Sequence, residues 1–295
     1  MAEPLYFYRR GQTAKEEETV LGGGLMRWAY ESSTGAWLTR FLFAQAWPSR
    51  LLGCLANTRF SRRQIAAVIR DLGIDAGEFA DGVDSYPTFN AFFSRRLKAT
   101  ARPFAAEAEA IASPADGRVL VFPRLQKETV LPVKGKSFTV DSLLGQPSPE
   151  FYDGSLAIVR LCPADYHRFH FPCDGAIIEN RCIKGYYHSV NPFALATGVD
   201  VFGQNERHIT MIESERLGRY GYIEVGAFGV GSIVQTFTGP AVRKGDEKGY
   251  FQYGGSTIVL VFQPEQIQFE KDLVEHSAEG VETFLKAGEV LGQCR

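Results

Sequence analysis

The sequence predicts an α+β protein, with a helical N-terminal portion followed by a β-rich, mainly antiparallel body. Three observations carry this expectation. Apolar residues in the first third recur at helical spacing. From about residue 110 the chain becomes short β-type runs divided by Gly, Pro and Asp. No long helical pattern separates those runs, which argues against a parallel, doubly wound sheet.

The first helix is marked by Ser61 and Gln64, spaced as a capping box, then by Ile65, Val68, Ile69 and Leu72, with Gly73 closing it. A second helix is expected over Thr88 to Leu97, stopping before Pro103. The strands are expected at "GRVLVF", "SLAIVRL", "GAIIENRCI", "HITMIE", "GYIEVGAFGVGSIVQTF" and "STIVLVF". There is no internal repeat and no low-complexity tract.

With 295 residues, 45% hydrophobic and 22% charged, the chain is long enough to bury a full core without staples. Cys54, Cys162, Cys173, Cys182 and Cys294 are odd in number and form no C-x-x-C pair, so neither a disulfide framework nor a zinc knuckle is indicated. No apolar run follows the arginines of the first 20 residues, so no secretory signal is expected. "FLFAQAW" is too short to cross a bilayer, which takes roughly 20 residues.

Charge is unevenly placed. Residues 21–70 hold seven arginines against one acid, Glu31, together with Trp28, Trp37 and Trp47. Arginine and tryptophan among leucines suit a segment lying in a membrane interface. The same composition suits a basic surface over core aromatics, or a nucleic-acid patch.

Three places carry candidate chemistry. In "DYHRFHFP", His167 and His170 are three apart on an expected strand, so they point to opposite faces and should not share one metal. A histidine beside aromatics can also be a hydrogen-bonded, semi-buried residue with no catalytic part. "SPADGRV" places Asp116 in a turn before a strand, where a carboxylate can orient an imidazole, although Asp-Gly is an ordinary turn dipeptide. "FQYGGSTIVL" sets Gly254, Gly255 and Ser256 directly before an apolar strand. Ile258 stands where a nucleophile elbow would have its last glycine, and "GAFGVGS" lacks the dinucleotide-binding spacing.

Taken together, "YPTFNAFFSRRLK", "SPADGRV", "VKGKSFTVDSLLG", "DYHRFHFPCDG", "FGQNER", "VGAFGVGSI" and "KGDEKGYFQYGGST", in that order across about residues 86 to 262, resemble the phosphatidylserine decarboxylase family of pyruvoyl-dependent lyases. The resemblance implies a proenzyme that cuts itself between Gly255 and Ser256 into chains 1–255 and 256–295. Asp116, His170 and Ser256 would form the self-processing triad, and His167 would serve decarboxylation. Ser256 would become a covalent pyruvoyl group, the only cofactor, which forms a Schiff base with phosphatidylserine and releases carbon dioxide to give phosphatidylethanolamine. No metal is expected. Some members carry Leu where Gly254 stands, but the scissile pair is unchanged.

Such a substrate gives weight to the interfacial reading of the basic window. Residues 1–85 are then expected to be a membrane-associating region and 86–295 the catalytic domain. The protein would be peripheral to the cytoplasmic face of the cell membrane, binding an anionic surface and no nucleic acid. Its two cleavage chains would stay paired and further form a homodimer. Two other readings use the same residues: a serine hydrolase with Asp116, His170 and Ser256, and a non-catalytic membrane-binding module in which the glycines make only a turn.

Overall fold

The computed structural model describes residues 6–12, 14–18, 32, 46–125, 129–130, 137–188, 201–227, 233–254 and 256–295. The N-terminus supplies β1 (Tyr6–Arg9) and β2 (Lys15–Glu17). Then follow β3 (Ala110–Ala112), β4 (Gly117–Phe122), β5 (Thr129–Val130), β6 (Ser137–Phe138), β7 (Ser155–Leu161), β8 (Arg168–His170) and β9 (Gly175–Ile183). After these come β10 (Arg207–Ser214), β11 (Gly218–Gly226), β12 (Ile233–Gln235), β13 (Ala241–Val242) and β14 (Glu247–Phe251). The C-terminal part holds β15 (Ser256–Phe262), β16 (Ile267–Phe269), β17 (Glu282–Leu285) and β18 (Val290–Cys294).

The result is mixed α+β with sheet predominant. A ten-stranded sheet runs β13, β9, β10, β11, β15, β7, β4, β17, β1, β2. Smaller sheets are β12, β14, β8, then β16, β18, β3, and the pair β5, β6. Among these strands only β1 and β17 pair in parallel.

β15 explains itself by its neighbours. It lies between β11 and β7, and every residue of "STIVLVF" is buried. Ile258, Leu260 and Phe262 enter one core with Phe169, Phe171 and Phe251 of the β12, β14, β8 sheet. Val259 and Val261 enter a second core with Leu143, Leu144 and Phe151. A strand covered on both faces needs apolar side chains at every position, hence the unbroken run.

The N-terminal portion differs from the expected helical region. β1 and β2 form a hairpin on the edge of the ten-stranded sheet, where Tyr8 stacks on His276 at 3.8 Å between ring centres. Helices do follow, at Ala46–Ala56 and Ile65–Asp71. Ser61 is not the N-cap: it lies inside a 3-10 turn, Arg59–Gln64. Its buried hydroxyl is within bonding distance of the Thr58 and Ala56 carbonyls, at 2.7 and 2.9 Å, and accepts from Phe89 N at 2.8 Å. A serine that ties two segments together costs more to remove than a cap, because Phe89 N–H would be left buried and unpaired, at about 1–3 kcal/mol. Gly73 does end its helix, with φ of 62°, the left-handed conformation that glycine adopts without strain.

The second helix is shorter than expected, Phe89–Phe93, with the Thr88 hydroxyl accepting from Ala91 N at 3.1 Å. Leu97 instead bridges to Phe79. Phe89, Phe92 and Phe93 form a third apolar cluster with Ile65, Phe79 and Tyr86, and Tyr253 packs against it. That contact brings the chain just ahead of Ser256 onto the N-terminal helices. Trp28 and Trp37 lie outside the described residues, and Trp47 falls on the helix Ala46–Ala56. No helix among the described residues is long and apolar enough to cross a membrane.

Candidate active site

Ser256 opens β15, opposite Gly226 of β11 and Leu161 of β7. Strand alternation puts its side chain on the face of Ile258 and Leu260, toward the β12, β14, β8 sheet. The hydroxyl is fully buried and has no hydrogen-bond partner among the described residues. Gly254 has φ of 144°, a conformation side-chain-bearing residues rarely adopt, which gives the glycine found there a backbone reason. Gly255 lies outside the described residues.

His167 reaches the same interior from the opposite side. Its carbonyl accepts from Phe251 N at 2.9 Å, and it alternates with Phe169 and Phe171, which are wholly buried in the shared core. Its ring lies 3.8 Å from that of Phe93, which in turn packs 5.3 Å from Tyr253. Nδ1 is 3.0 Å from the Asp165 carbonyl, an acceptor only, so Nδ1 carries the proton and Nε2 is a free lone pair. Nε2 is buried with no partner among the described residues. Burial, and then the positive charge of Arg95, push the imidazole down to about 3, so it is neutral at physiological pH.

His170 points the other way, as the spacing of three predicts. Nδ1 donates to the Gly245 carbonyl at 2.9 Å, and Nε2 lies 3.4 Å from the Tyr166 hydroxyl. Burial lowers its pKa, opposed by the bond to Gly245 and the charges of Glu247 and Asp116. Asp116, almost fully buried, is gripped by Arg102 through two bonds of 2.7 and 2.6 Å and accepts from Ala287 N at 2.8 Å. Asp116 and His170 therefore share an electrostatic neighbourhood, yet none of Asp116, His170 and Ser256 hydrogen-bonds another.

Several surrounding groups carry no local signal in the sequence. Arg95 donates to the carbonyls of Ala164 and Asp165 at 3.0 and 3.1 Å and lies over Phe79 and Phe92. Lys248 and Glu224 form a fully buried ion pair at 2.5 Å, with Gln235 as a second acceptor for the lysine at 2.9 Å. Glu224 is opposite Ile258 in register, so this pair sits on the face that carries Ser256. One set with metal-ligand spacing occurs among the described residues, Cys182, Glu206 and His208 within 4.8 Å of one another, and it includes none of the predicted site residues.

What this arrangement can do chemically is limited and specific. A buried hydroxyl with no partner among the described residues, preceded in the sequence by two glycines, is suited to intramolecular acyl transfer, while His167 separately holds a neutral imidazole with a free lone pair. The residues also fit a pyruvoyl group: the hydroxyl that would be consumed is, with Thr257 Oγ1 beside it, a buried polar atom at the head of β15 that no hydrogen bond among the described residues uses.

Comparison with known proteins agrees. The family described as phosphatidylserine decarboxylase matches residues 89–293. A relative named phosphatidylserine decarboxylase proenzyme from Chlamydia muridarum is 41% identical over 295 residues, covering 99% of this chain and 98% of its own. Proenzymes of the same name from Ruminiclostridium cellulolyticum and Clostridium kluyveri are 37% and 38% identical, each covering 98% of its own length and 98% and 97% of this chain. With its motifs, its buried Ser256 and likeness along nearly its whole length, the chain belongs to the phosphatidylserine decarboxylase family.

Proposed function

We propose that this protein is a proenzyme that cuts itself between Gly255 and Ser256 and then decarboxylates phosphatidylserine to phosphatidylethanolamine. The observation that carries the reading is the orphaned Ser256 hydroxyl at the head of the central strand. A buried hydroxyl left unpaired costs about 1–3 kcal/mol, whereas a cap or turn serine is hydrogen-bonded.

In self-processing, Ser256 Oγ attacks the Gly255 carbonyl carbon, and the Ser256 amide nitrogen leaves to give an ester. Removal of the Ser256 α-proton then breaks the ester, freeing Gly255 as a carboxylate and leaving a dehydroalanine. Its tautomer takes up water and releases ammonia, so that residue 256 ends as pyruvoyl. We assign Asp116 and His170 to the proton transfers of this stage. His170 must leave the Gly245 carbonyl or turn its Nε2 from Tyr166 to act, and Asp116 must loosen from Arg102.

In turnover, the pyruvoyl group supplies the ketone that accepts electrons when carbon dioxide departs, which no ordinary side chain offers. His167 holds its proton on Nδ1 against Asp165 and presents Nε2 to the interior, where it moves a proton at the substrate α-carbon. Denaturing mass spectrometry tests the whole scheme. Chains 1–255 and 256–295, the second blocked by pyruvoyl, are expected; an intact chain labelled at Ser256 by a fluorophosphonate would establish a serine hydrolase instead.

The membrane contact is assigned to the N-terminal portion. Leu51, Leu55 and Phe60 are exposed by 53%, 54% and 76%, beside Arg59, Arg62 and Arg63. Apolar side chains among arginines suit a peripheral contact with anionic lipid. The double change Leu55→Glu, Phe60→Glu is expected to weaken sedimentation with anionic vesicles roughly tenfold or more, since each side chain is worth about 1.5–3 kcal/mol when buried. Unchanged binding would remove this face from the interface.

A further inference from the structure

Glu18 is the last described residue before the stretch that carries Trp28 and Trp37, yet its side chain is held in the interior. Its side chain is only 6% exposed. The carboxylate takes bonds of 3.0 and 2.7 Å from Arg160, lies 2.7 Å from the Cys162 thiol and 3.9 Å from Arg118. Arg118 reaches Asp165 at 2.6 Å. Asp165 also accepts from Cys162 N at 2.6 Å, and its carbonyl is the one that fixes His167 Nδ1.

The second branch of this chain leads to the cleavage strand. Arg160 stands directly across from Thr257 in the β7 and β15 register, one position from Ser256. Arg118 and Arg160 are themselves partners across β4 and β7, so two guanidinium groups face each other in the interior. Glu18 lies between them, while Glu282 holds Arg160 and Asp165 holds Arg118 from outside. Burial raises the Glu18 carboxyl, but Arg160 and Arg118 outweigh it and bring it down to about 2, so the charge is present throughout the physiological range. Without that charge the two arginines repel, and both must compete for Asp165 and Glu282. The turn from Cys162 to Asp165 then loses its fixed geometry, and with it the carbonyl that orients His167.

We infer that Glu18 is a positioning residue for His167 and for the strand carrying Ser256, so that the N-terminal segment leading to the membrane-associating stretch is a working part of the active unit. This rests on the reading of His167 and Ser256 given above. It is not an anchor alone: an anchor would alter how much protein folds or binds lipid, whereas a positioning residue alters the rate at each formed site.

The test uses the full-length chain with Glu18→Ala, Glu18→Gln and His167→Asn, scoring chain cleavage, pyruvoyl content by reductive trapping, and kcat and KM on phosphatidylserine in detergent micelles. Glu18→Ala is expected to lower kcat per pyruvoyl group by about tenfold or more with KM within about twofold, since a displacement of about 1 Å at a reacting group can cost a hundredfold. Glu18→Gln keeps an acceptor for Arg160 and is expected to fall between. Should Glu18→Ala fail to fold, Glu18→Gln decides alone. Full kcat per pyruvoyl group in the folded variants, whatever their melting temperature, overturns the inference. Full turnover by His167→Asn overturns instead the reading on which it rests.

Discussion

A Ser256→Ala chain is expected to remain one uncut 295-residue species and to release no carbon dioxide. The change removes the hydroxyl proposed to attack the Gly255 carbonyl, and with it the proposed source of the pyruvoyl group. The structure makes this a clean substitution. Ser256 Oγ has no hydrogen bond to lose, so Ala removes an unsatisfied buried group and leaves Ile258 and Leu260 in place. Stability is expected to hold or to rise by about 1 kcal/mol, measurable by urea unfolding of the variant against another uncut chain. A cut Ser256→Ala chain would end the proposal, because no other nucleophile is assigned to that bond.

The second large effect is at His167. His167→Asn retains a donor for the Asp165 carbonyl but lacks Nε2, and turnover is expected to fall about 10²- to 10⁴-fold, the usual range for a lost proton carrier. Cleavage is expected to be spared relative to turnover, whereas His170→Ala and Asp116→Asn are expected to leave the chain uncut. Time courses of chain cutting on denaturing gels, with carbon dioxide release measured in parallel, separate these outcomes. An uncut His167→Asn chain would transfer the processing role to His167. The pH profile adds a check. With its pKa pushed to about 3, His167 stays neutral across the physiological range, and no loss of its basic form is expected as pH falls through 6.5. A step in kcat near pH 6.5 that disappears in His167→Asn would contradict that environment.

Much of the β body was legible because burial writes itself into composition. "STIVLVF" and "SLAIVRL" are apolar at nearly every position, and both are strands covered on two faces. The opposite orientations of His167 and His170 followed from the two-residue period alone. The N-terminal hairpin was not legible: β1 pairs with β17 near the other end of the chain, and nothing local in "YFYR" specifies a partner so distant. Ser61 misled because its spacing to Gln64 imitates a cap, while its actual bond is to Phe89, set by tertiary packing. For the same reason the grip of Arg102 on Asp116 and the Lys248–Glu224 pair could not be read, since each joins residues whose proximity the fold creates.

The place of β15 has a consequence for how the mature protein can be rebuilt. If the chain is cut between Gly255 and Ser256 as proposed, residues 256–295 own the strand between β11 and β7, and also β17, which lies between β4 and β1. Before the cut, folding is a unimolecular search by one chain. Afterwards, unfolding lets two polypeptides diffuse apart, and recovery becomes a second-order encounter that dilution disfavours. On the proposed scheme, the bond broken to make the cofactor would therefore also make recovery of the fold depend on protein concentration.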